Sequence, residues 1–283
     1  SVITTDTRFG LPKYAGNDRY MLDGIVLSKK ADGDTREKQN RLAVSFEAEK
    51  QSAYRTITAY KGNEGEHAPI RYWTVREANG TIKTYGCKRN GGEGFVGDAA
   101  SCQYDPASPT HIYSWYVQSE TDVYGNSVDY EYESKGNYIY PKQITYGGGA
   151  YRIVFEYVSG VRKDIRVDGR ATFPITCTQL LKEIRSEGRN APGDEFSVIK
   201  RYGFEYEASP IAHTTLLSKF IVSGRNGGSY GYRFSYKKPE KKASGEYIVF
   251  GSGKLWGEGK PLQVGNSTTT STSFSTSAGV GVG

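Results

Sequence analysis

The stretch "PKQITYGGGAYRIVFEY", residues 141 to 157, decides how this chain folds. Two runs with period-two alternation flank Gly147, Gly148 and Gly149, so it reads as a strand, a glycine turn and a second strand. The second strand ends in an aromatic pair two residues apart, Phe155-Glu156-Tyr157. The same ending recurs at Tyr130-Glu131-Tyr132, Phe204-Glu205-Tyr206 and Phe234-Ser235-Tyr236. Two of these close further strand-turn-strand units, "QLLKEIRSEGRNAPGDEFSVIKRYGFEY" at 179 to 206 and "LLSKFIVSGRNGGSYGYRFSY" at 216 to 236. Alternation puts the aromatics on one face of each strand and the glutamates on the other. A hairpin of this kind cannot bury its apolar face alone, so the units are expected to stack side by side. The pairs begin at residues 130, 155, 204 and 234, an uneven spacing that argues for a wound sheet rather than a propeller of equal blades.

Composition agrees with this. The 283 residues include 23 Tyr, 11 Phe, 3 Trp and 35 Gly but one Met. Aromatic and β-branched residues suit a pleated surface and glycine suits turns, so the expected class is all-β. "LLKEIRSEG", 180 to 188, also has helical spacing, but its counterpart "LLSKFIVSG", 216 to 224, is rich in β-formers, which favours a strand. Upstream, Tyr20 to Leu27 reads as a short apolar strand and 31 to 40 as a charged, exposed turn or loop. Asn79-Gly80 between two alternating runs is the strongest short-range hairpin signal. Residues 87 to 111 read as a long Gly-rich surface loop. The resulting organisation is an N-terminal β segment over 1–111, repeated hairpins over 112–264, and a Ser/Thr/Gly-rich linker or edge strand over 265–283.

The chain carries a formal charge of +6, yet its basic residues are interleaved with acids and form no stripe, so nucleic acid is not an expected partner. No run approaches the roughly 18 apolar residues of a membrane-spanning helix, and "SVITTDTRFG" lacks a signal pattern. An odd cysteine count fits neither a disulfide scaffold nor a metal site, and it leaves the pairing of Cys87 with Cys102 open.

"DVYGNSVDYEYE", 122 to 133, is the densest carboxylate segment. As a calcium loop from Asp122 it would need a ligand where Tyr124 stands and a glycine where Ser127 stands. Asp129, Glu131 and Glu133 are therefore expected on the wet side of a strand that follows a turn at Asp122, Gly125 and Asn126. Glu131, Glu156 and Glu205 share one repeat position, which marks a solvent-facing ladder rather than the paired acid and base of a glycosidase. "STSFSTS", 271 to 277, matches the Ser-Thr-Ser strand of ADP-ribosyltransferases, but the Glu-x-Glu pairs precede it here instead of following it. His67, His111 and His213 are widely separated, and the glycine turns at 146 to 151 and 224 to 231 do not open phosphate loops. No catalytic, metal-binding or cofactor-binding residue is assigned, and no cofactor is expected.

An ordered set of motifs carries a family resemblance: "NDRYMLDGIVL" (17 to 27), "WTVREANGTIKTYG" (73 to 86), "WYVQSETDVYGNSVDYEYE" (115 to 133), "YPKQITYGG" (140 to 148), "LLKEI" with "VIKRYGFEYEAS" up to Ser209, and "LLSKFIVSG" followed by "TSFSTSAGVGVG". Together they resemble the N-terminal domain shared by the virulence protein SpvB and the TcaC-like B subunits of insecticidal toxin complexes, relatives of the Rhs/YD-repeat proteins. The family's Gly-Trp-rich opening is missing, and the chain stops where propeller repeats normally begin, so a piece of a longer polypeptide is expected. The resemblance implies a non-catalytic segment of a hollow, secreted or cell-surface shell around a toxic cargo domain. The implied partners are the remaining YD-repeat shell, the parent chain's β-propeller, the cargo and a translocation subunit. The ADP-ribosyltransferase of SpvB lies in a separate domain and is not carried over. The competing expectation is an extracellular carbohydrate-binding or adhesive β-module using Trp115 or exposed tyrosines.

Overall fold

The computed structural model describes residues 1–15, 18–30, 36–38, 41–49, 54–61, 69–89, 95–97 and 99–248. The described residues fall into two compact units, 1–209 with 213–235, and 210–212 with 236 onward. Within the second unit Lys241 bridges to Tyr247 in antiparallel fashion. All of the regular sheet belongs to the first unit.

Its N-terminal half contains β1 (Val2–Thr5), β2 (Tyr20–Leu22), β3 (Ile25–Lys29), β4 (Arg36–Lys38), β5 (Arg41–Ala48), β6 (Thr56–Lys61), β7 (Ile70–Arg76) and β8 (Ile82–Tyr85). A short ribbon follows, β9 (Cys87–Arg89) with β10 (Phe95–Gly97), then a 3-10 turn at Ala99–Ser101, β11 (Cys102–Asp105) and the long β12 (Ser108–Thr121). The second half is β13 (Ser127–Lys135), β14 (Tyr138–Tyr146), β15 (Tyr151–Val158), β16 (Arg166–Asp168), β17 (Ile175–Cys177), β18 (Leu180–Gly188), β19 (Ser197–Ala208), β20 (Thr215–Gly224) and β21 (Ser229–Arg233). The all-β expectation holds, and every pairing is antiparallel.

The pairings close a ring. β12 pairs with β1, β1 with β2, β2 with β3, β3 with β5, and β5 to β8 follow in order until β8 returns to β12. Closure removes the sheet edges that would otherwise lie open. Alternation sends one residue in two inward, and these are large aromatics: Trp73 and Trp115 cross at 5.7 Å, with Tyr20 at 5.1 Å from Trp73 and Phe46 also at 5.1 Å from it. Edge-to-face and tilted contacts among these rings fill the small barrel. Gly86 lets the chain pass this core: its φ is +67, and a Cβ there would lie 2.4 Å from the Trp115 ring.

From β12 the sheet leaves the ring as an open meander, β13-β14-β15-β18-β19-β20-β21. The β16-β17 ribbon is an excursion between β15 and β18, and Phe173 and Ile175 from it pack on Tyr113, a residue of β12.

Three readings are refined and a fourth holds. The run Tyr20 to Leu27 is a hairpin, not one strand, because Asp23 (φ 49) and Gly24 (φ 83) form a two-residue turn with both φ positive. Part of 31 to 40 is strand β4, and the remainder lies outside the described residues. Residues 87 to 111 are not a loop: they hold β9, β10, β11 and the start of β12, with Cys102 in the barrel core. Small residues hid the alternation there. "LLKEIRSEG" is strand β18, as its counterpart implied.

Candidate functional site

The segment 122 to 133 is a turn followed by a strand. Asp122 Oδ1 accepts hydrogen bonds from the amides of Tyr124 and Asn126, both at 2.9 Å, and Oδ2 accepts from Asn126 Nδ2 at 2.8 Å. Asn126's amide, first among these donors, holds the Asp122 carboxyl below its ordinary pKa. Both carboxylate oxygens thus serve their own turn, closed by Gly125 at φ 87. Asp129, Glu131 and Glu133 are exposed, while Val128, Tyr130 and Tyr132 are half-buried on the opposite face. Among the described residues no group of three His, Cys, Asp or Glu is placed to hold a metal ion.

Register carries those two faces through the whole meander. On one face Tyr130 lies opposite Ile144 and Ile144 opposite Ile153; Phe155 opposite Ile184 and Ile184 opposite Tyr202; Phe204 opposite Phe220 and Phe220 opposite Tyr232. Phe220 and Tyr232 are nearly parallel, at 6.4 Å. The other face is charged. Arg185 pairs with Glu156, with Glu183 at 3.0 Å and with Glu187 at 2.9 Å; Arg152 reaches Glu187 at 2.6 Å, and Arg201 reaches Glu183 at 3.0 Å. Burial works to raise the Glu187 carboxyl, but its hydrogen bonds to Arg185 and Arg152 outweigh this and hold it below the ordinary value. Glu131 and Glu205 are exposed, whereas Glu156 is half-buried beside Arg185. The three glutamates lie on one face but in different surroundings.

A second repeat emerges that the sequence did not display. The second tyrosine of each aromatic pair donates its hydroxyl to a carbonyl on the preceding strand: Tyr132 to Val117 at 2.5 Å, Tyr157 to Pro141 at 2.8 Å and Tyr206 to Leu181 at 2.7 Å. Each acceptor stands immediately before a bulge residue. The register skips Gln118 between β12 and β8, Lys142 between β13 and β14, and Lys182 between β15 and β18. Ser218 is skipped likewise in β20. A bulge interrupts the ladder and bends the strand, and the tyrosine supplies a donor at the interruption. The fourth aromatic pair begins just past β21, where the amide of Phe234 still donates to Ser218 at 2.9 Å.

The remaining candidates are dispersed. Trp115 is 2% exposed and its Nε1 donates to the Arg71 carbonyl at 3.1 Å, so it is a core residue and offers no face to a glycan. His111 stacks on Tyr14 at 4.6 Å. His213 sits at φ 52 in the turn after Ser209. Cys177 accepts from Arg162 Nη1 at 3.2 Å. His67, the side chain of Cys87 and residues 265–283, including the Ser-Thr-Ser segment, lie outside the described residues.

Comparison with known proteins gives a consistent result. The family model described as "SpvB: Salmonella virulence plasmid 65kDa B protein" matches residues 1–146, which takes in the ring and the first hairpin of the meander. No curated protein matches the chain by sequence. Among solved structures, the N-terminal domain of effector protein SpvB from Salmonella typhimurium strain LT2 matches with TM-score 0.64 and 17% identity, over 83% of this chain and 87% of that one. The TcdB2-TccC3-Cdc42 structure matches with TM-score 0.69 and 12% identity over 84% of this chain. The Photorhabdus luminescens Tc holotoxin pore matches with TM-score 0.68 and 13% identity over the same share. This chain spans 14% of each of those two toxin chains.

Proposed function

This chain belongs to the SpvB family, and from that premise we propose that it is a non-catalytic segment of a β-sheet wall in a large secreted toxin polypeptide, helping to enclose a toxic cargo domain. The observation that carries the proposal is the meander from β13 to β21, one sheet whose aromatic and charged faces keep their identity from strand to strand, with β21 at its far edge. A single catalytic site needs one carboxylate or nucleophile set apart from its neighbours, whereas here chemically similar residues recur at equivalent positions of a ladder. The likeness to the TcdB2-TccC3 and Tc holotoxin folds supports a place in such an assembly. The rest of the shell, a β-propeller of the parent chain and a translocation subunit are the partners this reading calls for.

Within it, we assign the ring to the N-terminal β segment and the repeated hairpins to wall construction. Electron microscopy of the parent polypeptide, combined with limited proteolysis, tests the proposal. The expected result is a hollow particle with this chain in its wall and a protease-resistant C-terminal cargo. A solid particle, or cargo cleaved as fast as the free cargo domain, would overturn it.

A further inference from the structure

On the outer surface of the ring a cleft of about 920 Å³ opens between the strands β1, β11 and β12 and the β16-β17 excursion. That volume lies within the range of small-molecule sites, roughly 300–1,000 Å³. Its floor is one cross-strand row. Thr4 lies opposite both Met21 and Ser114, and Ser114 lies opposite Gln103. Their neighbours Ile3, Trp115 and Cys102 point into the barrel, so alternation turns this row outward. Ser114 is 1% and Gln103 5% exposed, and neither side chain makes a hydrogen bond among the described residues. Both side chains line the cleft, so their hydroxyl and amide can donate to and accept from whatever enters it.

The walls supply two further kinds of contact. Tyr116 and Tyr138 line the cleft. Burial pushes Tyr116 up to about 12 and raises Tyr138, so both hydroxyls stay protonated donors through the neutral range. Four arginines line the cleft. Arg8 is paired with Asp6 at 2.9 Å, Arg162 with Asp164 at 3.3 Å and Arg170 with Asp168 at 2.6 Å. Arg166 has no carboxylate partner among the described residues and leaves one uncompensated positive charge at the mouth.

We infer that this cleft binds a carboxylated saccharide, its hydroxyls meeting Gln103, Ser114 and Thr4, its apolar ring face lying on Tyr116 and Tyr138, and its carboxylate on Arg166. The floor chemistry selects this class. Side-chain amides and hydroxyls both donate and accept, as sugar hydroxyls do. A guanidinium holds a carboxylate through charge-assisted hydrogen bonds, which are stronger than neutral ones.

The site stands apart from the wall reading, since it lies on the ring. Calorimetric titration of the 283-residue protein with trigalacturonate and with sialyllactose tests it, with lactose and triglutamate as comparators. Expected are saturable binding of at least one acidic saccharide and none of triglutamate. Arg166→Ala is expected to weaken binding tenfold or more and Ser114→Ala about fivefold, as loss of one charged and one neutral hydrogen bond implies. Arg166 is exposed and unpaired, so its variant tests the site even if Ser114→Ala misfolds. Failure of both acidic saccharides to bind, equal binding by Arg166→Ala, or triglutamate binding as tightly as the sugars would overturn the assignment.

Discussion

Tyr132, Tyr157 and Tyr206 are each half-buried, and each gives its hydroxyl to a carbonyl beside a bulge. Replacing any one by Phe keeps the ring and removes the donor, so each variant is expected to lose about 1 kcal/mol in urea unfolding. Tyr124→Phe, at a position 88% exposed, serves as the neutral control. Tyrosine also sets the alkaline limit of stability. Burial pushes Tyr14, Tyr116 and Tyr130 up to about 12, above the value near 10 of an unfolded chain. The native state then holds protons that the unfolded chain has released. Their contribution is complete below about pH 10 and is lost as pH rises toward 12. The midpoint of urea unfolding should fall across that window, and the triple Phe variant should flatten the fall. The pairs were legible in the sequence because they repeat at period two. Their hydroxyl acceptors were not, because Val117, Pro141 and Leu181 are apolar residues whose relevant atom is the backbone oxygen.

Hairpins whose two strands alternate cleanly are readable without a structure, and β14-β15, β18-β19 and β20-β21 fall where glycine and polar turns separate such runs. Bulges are not readable in this way, since the skipped Lys142, Lys182 and Ser218 look like ordinary members of their strands. Bulges decide which face each residue takes beyond them, because a one-residue slip reverses the alternation. Deleting Lys182 is expected to disrupt the β15-β18 pairing and abolish cooperative unfolding of the meander. Lys182→Ala, which keeps the backbone residue, should stay within about 0.5 kcal/mol of the parent. Near-UV circular dichroism and denaturant titration distinguish the two. Asp23-Gly24 was a legible turn signal overshadowed by the apolar run around it. In 87 to 111 the strands β9, β10 and β11 are only three or four residues long, too short for alternation to show, although β9 pairs with β10 and β11 with the adjoining β12.

Ring closure is the property least visible in the sequence, since it joins Val2 to Tyr116 and Val117 to Tyr85, pairings fixed by the packing of Trp73 and Trp115 rather than by local pattern. The closed ring and the open meander should differ in dynamics. β21 is exposed at every residue and paired on one side, whereas Ile57, Tyr72 and Trp73 are fully buried. Hydrogen exchange is expected to be slowest in β6, β7 and β12, occurring there through global unfolding, and fastest in β21 through local opening. Uniform protection from β1 to β21 would contradict this division. β12 also imposes an order of events. The chain's first strand has no ring partner on that side until Ser114 to Tyr116 have been made, so a polypeptide emerging from its N-terminus holds β1 waiting for a segment more than a hundred residues behind it. A version ending at residue 107 should therefore be degraded rapidly by protease, and one ending at residue 146 should resist it. In the order of synthesis, the barrel is finished only when β12, the strand from which the wall departs, has been made.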